Sequence, residues 1–256
     1  MSTLSPTLPS TDPAAARGRP ASFATTRWSV VLLAGRHDTE RARAALGKLC
    51  ATYWYPLYAY ARRRGCTPPD AQDLTQAFFA RLLERQSLAA ADPARGRFRS
   101  FILAAMKNFL ADEWAKSRAQ RRGGGEPTLS LDWAKAERHY HQEPAEGDSP
   151  DKAFDRRWAL ALLDATLAAV EAEYKQDDSA ELFAALRGTL VGERTAQPYA
   201  ELGATLGLSE SALKVAVHRL RKRYRARLRE EISQTVATVE EVDEEMRHLF
   251  RSLGGS

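Results

Sequence analysis

The side chains whose types and spacing suggest chemistry are cationic, and they gather near the C-terminal end of the chain. Between Lys214 and Arg229 there are eight Lys or Arg residues and no Asp or Glu. A face this basic suits duplex DNA, because neutralised phosphates supply much of the affinity for it. The alternative is a solvated basic helix in an ordinary helical bundle, and the elements around the run decide between the two.

The basic run lies in the second of two helices that the sequence predicts around a tight turn. The first helix runs from about Tyr199 to Leu206, and Ser209 can cap the second. Gly203 is small enough to let the helices approach, and Gly207 can adopt the positive φ that ends the first. An inward stripe with helical spacing follows along the second helix: Leu213, Val217, Leu220, Tyr224 and Leu228. The combination predicts a DNA-binding helix-turn-helix.

Composition limits the classes of protein that fit. A chain of 256 residues, 44% hydrophobic and 28% charged, predicts a soluble protein of two domains, with no apolar run long enough to cross a bilayer. The Pro-rich N-terminus lacks the apolar segment of an export signal, so we expect a cytoplasmic location. Cys50 and Cys66 have no partners at metal-ligand spacing, and a reduced compartment fits them.

Enzymatic chemistry is not indicated by any group of residues. The chain has no Ser/His/Asp ordering, no phosphate-cradling Gly loop and no constellation of metal ligands. His139 and His141 stand alone in a polar segment, which favours a solvated position over a metal site. We therefore expect no catalytic residue, no metal and no cofactor.

The first half of the chain predicts one helical domain behind a disordered extension. Residues 1–22 are rich in Pro and poor in apolar bulk, which is typical of disorder. Residues 23–122 form the domain. Within it, Pro56 predicts a kink or a break between two helices, and Thr67 to Asp70 predicts a capped helix start.

The second half predicts a linker, a second domain and a tail. Residues 123–154 begin with three glycines and are expected to form a flexible linker, with a short turn near 133–140. Residues 155–231 hold the helix-turn-helix, preceded by a helix whose inward stripe is Leu160, Leu163, Leu167, Val170 and Tyr174. Residues 232–256 form an acidic tail with helical spacing of its apolar residues. The predicted fold is all-α, with two helical domains joined by the linker.

Three stretches, in this order, resemble the extracytoplasmic-function sigma factors of bacterial RNA polymerase, within the sigma-70 superfamily. They are DAQDLTQAFFARLLE from Asp70, FRSFILAAMKNFLADEW from Phe98, and YAELGATLGLSESALKVAVHRLRKRYRARL from Tyr199. The resemblance covers about residues 23–231. The flanking FATTRWSVVL and VDEEMRHLF resemble those of a subgroup that carries a C-terminal tail.

The resemblance implies a dissociable polymerase subunit that directs promoter recognition and transcription initiation without catalysing a reaction. Its domain two would span residues 23–122 and its domain four residues 155–231. Six residues match the helix that grips the clamp of the largest polymerase subunit: Asp70, Gln72, Asp73, Leu74, Gln76 and Phe79. The polymerase flap is a further expected partner, an anti-sigma factor or other regulator is left open, and no membrane contact is expected.

The resemblance also implies two sets of promoter contacts. The set for the non-template strand of the −10 element is Arg97, Arg99, Lys107, Asn108, Asp112, Lys116 and Arg118. Asn and Lys or Arg supply the hydrogen-bonding edges and the cationic groove that a separated strand needs. The set for the −35 element is Glu210, Ser211, Lys214, Val215, His218 and Arg219, with Lys222 and Arg223 expected at phosphates. Ala115 stands where many members have Arg, which leaves the strand contact there open.

Alternatives remain open for the whole chain and for its tail. A stand-alone helix-turn-helix regulator would use residues 23–122 as a sensor or dimerisation domain and would need no polymerase contact at Asp73 or Gln76. The acidic tail could fold against the basic helix of the second domain, or against a regulator, and restrain promoter binding, because their charges are complementary. A solubilising appendage explains the tail equally well.

Overall fold

The computed structural model describes residues 40–83, 97–119, 132–141, 149–191 and 199–254. These residues form helices and no strand, which confirms the predicted all-α class. The described helices are α1 Glu40–Arg63, α2 Pro68–Leu83, α3 Phe98–Ala119, α4 Trp133–His141, α5 Pro150–Gln176, α6 Ala180–Leu186, α7 Gly188–Val191, α8 Tyr199–Leu206, α9 Glu210–Ser233 and α10 Val239–Leu253. The expected disorder of residues 1–22 and the three glycines at 123–125 lie outside the described residues.

The sequence predicts a kink or a break at Pro56; helix α1 continues through this residue, so the break into two helices is wrong. Proline removes one hydrogen bond from a helix interior. Burial on both sides of the proline offsets that loss, because Tyr53, Leu57 and Tyr60 are at most 1% exposed. Helix α2 begins as predicted: the Asp70 amide donates to Thr67 Oγ1 at 3.3 Å. It packs on α3 through the rings of Phe78 and Phe109, whose centroids are 5.7 Å apart.

Part of the expected linker is an ordered helix. Helix α4 lies against α1, with the Trp133 ring 5.5 Å from the ring of Trp54. Glu137 forms an ion pair with Arg62 at 2.9 Å and accepts a hydrogen bond from Tyr58. The polarity of the segment predicts a linker. Its sequence does not indicate α4, because the apolar side chains that hold this helix are too few to form a stripe.

Helix α5 is the longest described helix, and it belongs to two cores. It starts at Pro150, where Ser149 Oγ accepts from the Lys152 amide. Its N-terminal half places Phe154, Trp158 and Leu162 in a core with α1 and α3, and its C-terminal half places Val170 and Tyr174 in a core with α6 and α9.

The buried ridge of α5 therefore differs from the predicted stripe. It repeats every four residues: Phe154, Trp158, Leu162, Thr166, Val170 and Tyr174. Leu160, Leu163 and Leu167 are only half-buried. A single inward stripe fits one packing partner, whereas α1, α9 and α10 all contact this helix.

The turn between α8 and α9 has the geometry that its sequence predicts. Gly207 has φ +64°, and Ser209 Oγ accepts from the Ala212 amide at 3.2 Å. A Cβ on Gly203 would lie 2.7 Å from the Leu208 carbonyl oxygen, so only glycine allows this approach. The inward stripe of α9 is also confirmed: four of its five residues are buried, and Tyr224 is half-buried.

The tail forms α10, which folds back onto the body of the protein. A capping box starts it, with Thr238 Oγ1 accepting from the Glu241 amide and the Glu241 side chain accepting from the Thr238 amide. Val236, Val242 and Leu249 are at most 3% exposed in the core that includes α1 and α5. The Phe98 amide, at the start of α3, donates to the Thr235 carbonyl at 2.9 Å.

Replacing Gly203 by alanine tests the close approach at the turn. We expect Gly203→Ala to lower the free energy of unfolding by about 1–3 kcal/mol, because the new methyl group meets a backbone oxygen that cannot rotate away. Gly47→Ala is the matched control: it also lies inside a helix, but nothing is within 4 Å of its Cβ position. That change should stabilise by up to about 1 kcal/mol. Equal effects of the two changes in urea titrations would contradict the packing at the turn.

Candidate functional site

The N-terminal part of α2 carries a polar surface. Asp70 and Asp73 are exposed, whereas Gln72, Leu74 and Gln76 are half-buried. Asp70 accepts a hydrogen bond from Thr67 Oγ1 at 2.6 Å, so its carboxylate is fixed at the helix start. This surface offers two carboxylates and two amides around one apolar side chain, which is a suitable composition for a protein contact.

A cleft of about 480 Å³ lies beside this surface. It is lined by Arg64, Gly65, Cys66, Asp70, Asp73, Leu74, Glu113 and Trp114. The Arg64 guanidinium sits 5.0 Å above the Trp114 ring. The cleft therefore lies between the start of α2 and the C-terminal half of α3.

Phe79 does not reach that face. Its ring is fully buried against the ring of Phe78, with centroids 5.5 Å apart. The structure thus separates it from the five other residues that the resemblance assigned to polymerase binding. Phe79 holds α2 in the core and so positions the exposed acids.

Helix α3 presents a polar stripe along its middle and C-terminal half. Asn108, Asp112 and Lys116 are exposed and follow at intervals of four residues, which places them on one side of the helix. Asp112 lies 3.5 Å from Arg81 of α2, and Lys116 pairs with Glu113 at 2.8 Å.

Two further cations were assigned to this helix. Lys107 points to α5, where its Nζ lies 2.6 Å from Asp151. The side chain of Arg118 lies outside the part of the chain that the structure describes.

The start of α3 is different, because its two arginines are taken up by acids of other helices. The Arg99 side chain is 9% exposed; its Nε donates to Glu245 at 2.8 Å and its Nη1 to Asp155 at 2.6 Å. Arg97 donates to Glu245 at 3.1 Å and also pairs with Glu244. The Glu245 side chain is completely buried. The structure therefore places these two residues apart from the exposed stripe, since even Arg99 lies about 13 Å from Asn108 along the helix axis at 1.5 Å per residue.

His248 of α10 completes this cluster. Its Nε2 lies 3.1 Å from Asp155 Oδ2, and its ring is 5.9 Å from the ring of Trp158. Burial lowers the pKa of His248 below its usual value, and the nearby Arg99 charge lowers it further, against the opposing effect of Asp155 and Glu245. The folded protein thus favours the neutral imidazole.

Sequence reasoning missed the acidic half of this cluster. Glu245 falls three residues after Val242 and four before Leu249, which puts it on the apolar side of α10. A carboxylate at such a position requires a buried cation. The spacing of Glu245 among the apolar residues could therefore have predicted a buried ion pair. It does not identify the cation in that pair.

The exposed side of α9 carries most of the residues predicted for duplex DNA. Ser211, Lys214, Val215, His218, Arg219 and Lys222 are all exposed. Val215 is 49% exposed, which is unusual for its side chain and suits contact with a thymine methyl group. Glu210 pairs with Lys214 at 2.7 Å, and the lysine lowers the pKa of this exposed carboxyl through a hydrogen bond and its charge.

Not every cation of α9 is available to a ligand. Arg223 donates to Asp177 at 2.9 Å and lies 4.9 Å above the Tyr174 ring, so it ties α9 to α5. Arg227 and Arg229 pair with Glu231 at 2.8 Å and Asp243 at 2.5 Å. By contrast, Arg219, Lys222 and Arg225 make no ion pair with any other described residue. Some cations of the basic run therefore stabilise the fold, and others remain exposed at the surface.

No candidate metal centre or buried reactive thiol stands out in the described ranges. No group of three or more His, Cys, Asp or Glu there could hold a metal ion. Cys50 and Cys66 are free and buried, and burial raises the pKa of Cys50 to about 12. None of the described helices is long and apolar enough to pass through a bilayer.

Comparison with known proteins adds one finding. Residues 52–120 match the family model described as Sigma-70 region 2. The match takes in the second half of α1 together with α2 and α3, which carry the two polar faces. It supports membership of the sigma-70 family and implies a sigma-factor role in binding RNA polymerase and melting promoters. No curated protein and no solved structure matches the chain.

Acidification tests the neutral state of His248. Because its pKa is lowered in the folded protein, its contribution to stability is present above about pH 6.5 and is lost as the pH falls, when the unfolded chain takes up a proton that the folded ring resists. We expect His248→Gln to lose less stability than the wild type in urea titrations between about pH 7.5 and 5.5. His218→Gln, at an exposed position on α9, is the control for replacing a histidine by glutamine. An unchanged pH dependence in His248→Gln would contradict the burial of this ring.

Proposed function

We propose that this protein is a sigma factor of the extracytoplasmic-function type, which binds core RNA polymerase and directs it to promoters with −10 and −35 elements. The observation that carries the proposal is the Sigma-70 region 2 match at residues 52–120, whose helices present the polar faces of α2 and α3. The basic, exposed side of α9 supplies a second, separate surface for duplex DNA.

The polymerase contact uses the face at the start of α2. Asp70 and Asp73 supply negative charge there, and Leu74 with the cleft beside it supplies apolar area. An interface of this kind gains its specificity from a few charged groups around an apolar centre. The partner is the clamp of the largest polymerase subunit, and the flap is the partner of the C-terminal domain.

The −10 contact uses the stripe of α3. Asn108 offers both a hydrogen-bond donor and an acceptor to a flipped base, and Lys116 offers a cation to the displaced strand. Arg97 and Arg99 lie apart from this stripe, at the start of the helix, and would supply a second cationic contact to the strand. With α10 folded back onto the body of the protein, both arginines are paired with acids of α10 and α5.

The −35 contact uses α8 and α9 as a helix-turn-helix. In that motif the N-terminal residues of the second helix face base edges in the major groove. Ser211, Val215 and Arg219 occupy these positions, whereas Lys222 lies further along and meets phosphates. Arg223 supports the fold instead, through its contacts with Asp177 and Tyr174.

The protein works by binding alone and acts in the cytoplasm, where the polymerase is found. Its regulation comes through an anti-sigma factor or another regulator. The experiment that tests the proposal is run-off transcription with purified core polymerase on a library of promoters. Promoter-dependent transcripts that require this protein would support it. Binding to duplex DNA without any effect on polymerase would favour the stand-alone regulator instead.

Charge reversal on α2 tests the polymerase contact. We expect Asp73→Arg to weaken core binding at least about tenfold, or ~1.4 kcal/mol, because it places a cation in a surface that is built to be acidic. Asp164→Arg is the matched control, since Asp164 is also exposed within a helix and changes the charge equally. Binding can be measured by competition with a labelled sigma factor. Equal affinities of the two variants would rule out this face.

Two neighbouring cations of α9 should behave differently. We expect Lys222→Ala to weaken binding to all duplexes alike and to reduce the slope of log affinity against log salt by about 1, because one phosphate contact is lost. Arg223→Ala should leave that slope unchanged and instead lower the melting temperature, since it removes the contacts with Asp177 and Tyr174. The reverse pattern would show that the two roles have been exchanged.

A further inference from the structure

The acids of α10 occupy the arginines at the start of α3 by direct ion pairs. Glu245 accepts from Arg99 Nε at 2.8 Å and from Arg97 Nη1 at 3.1 Å, so one carboxylate bridges two guanidinium groups. Glu244 adds a second pair to Arg97. The paired acids and arginines are 146 to 148 residues apart in the sequence, and only the folding back of α10 brings them together.

The cluster has a deep part and a shallow part. Arg99 and Glu245 are buried, and Asp155 and the Trp158 ring also contact this arginine, the ring at 5.0 Å. Arg97 is 23% exposed and Glu244 is 52% exposed, so their pair borders the solvent. Breaking a buried pair leaves an uncompensated charge and costs much more than breaking an exposed one. The buried pair of Arg99 with Glu245 therefore anchors α10, and the exposed pair of Arg97 with Glu244 is the one that can be released.

Apolar contacts hold the rest of α10 in place on one side of the helix. Val242 and Leu249 are buried, whereas Val239 and Phe250 on other sides of the helix are 43% and 59% exposed. The helix is also capped at its own start by Thr238 and Glu241.

We propose that α10 is an intramolecular competitor of single-stranded nucleic acid, in which Glu244 and Glu245 take the place of strand phosphates on Arg97 and Arg99. This inference rests on the proposed function, which assigns these arginines to the −10 strand. All three nitrogens of Arg99 and both Nη atoms of Arg97 donate to carboxylates, so a strand phosphate has to displace at least one of these acids to use the same donors. The free protein is therefore held in a state of low affinity for the strand, and binding of the strand requires displacement of α10.

The test measures binding of a short fluorescein-labelled DNA single strand to the full-length protein at low salt by fluorescence anisotropy. Four variants are compared with the wild type: Glu244→Gln, Glu245→Gln, Glu240→Gln, and Glu244→Gln combined with Arg97→Ala. Glu240 is exposed in the first turn of α10, where the structure shows it no cationic partner among the described residues. Its change alters net charge as much as the other two, so it controls for long-range attraction.

We expect Glu244→Gln to raise the affinity about two- to fivefold, as for loss of an exposed pair, and Glu245→Gln to raise it about tenfold or more. Glu240→Gln should raise it no more than its change of net charge requires. Adding Arg97→Ala to Glu244→Gln should cancel the gain, because the gain passes through Arg97. Circular dichroism melting will show whether Glu245→Gln still folds. If that variant does not fold, the affinity of Glu244→Gln for the strand tests the proposal.

The proposal is overturned if Glu244→Gln binds the strand no better than Glu240→Gln, or if the gain survives removal of Arg97. The assay contains no polymerase, so its outcome is separate from that of the proposed function. A failed gain with intact promoter-dependent transcription would remove the competitor role of α10 alone. Absence of that transcription in the wild type would remove the sigma-factor function.

Discussion

The burial of α5 at both of its ends is the constraint on which the rest of the structure depends. At one end the Trp158 Nε1 donates to Tyr53 Oη at 3.0 Å inside the core formed with α1 and α3. At the other end Tyr174 packs with Phe183 in the core formed with α6 and α9. A continuous helix does not bend as a flexible linker does. The basic side of α9 is therefore held in a fixed relation to the polar faces of α2 and α3.

This constraint also determines which charges can act. Arg223 is held against α5, Arg229 against α10, and Arg99 among Asp155 and Glu245. The cations that remain for a ligand are exposed ones such as Lys222. A basic run therefore overstates the charge that is open to a ligand, because part of that charge is paired within the fold. The acids that stabilise the fold hold these arginines in ion pairs.

Local features of the fold could be predicted from sequence, because their physical cause is local. The turn at Gly207, the cap at Ser209 and the start of α2 at Thr67 depend on neighbouring residues only. The buried ridge of α5 and the helix α4 could not be predicted, since both depend on partners far away in the chain. For the candidate site, the exposed positions of α2, α3 and α9 follow from helical period. The pairing of Arg99 with Glu245 does not, because it requires knowing where the tail folds.

Native-state hydrogen exchange of the full-length protein tests most directly whether the chain is one closed body with α10 docked on it. We expect the amides of α10 around Glu245 and Leu249, and those of α5 around Trp158, to exchange slowly and with free energies of opening close to those of α1 around Tyr53, because one core contains all of them. Fast exchange of the amides throughout α10, while those of α1 stay protected, would contradict the docking of the tail. It would also contradict the burial of Arg99.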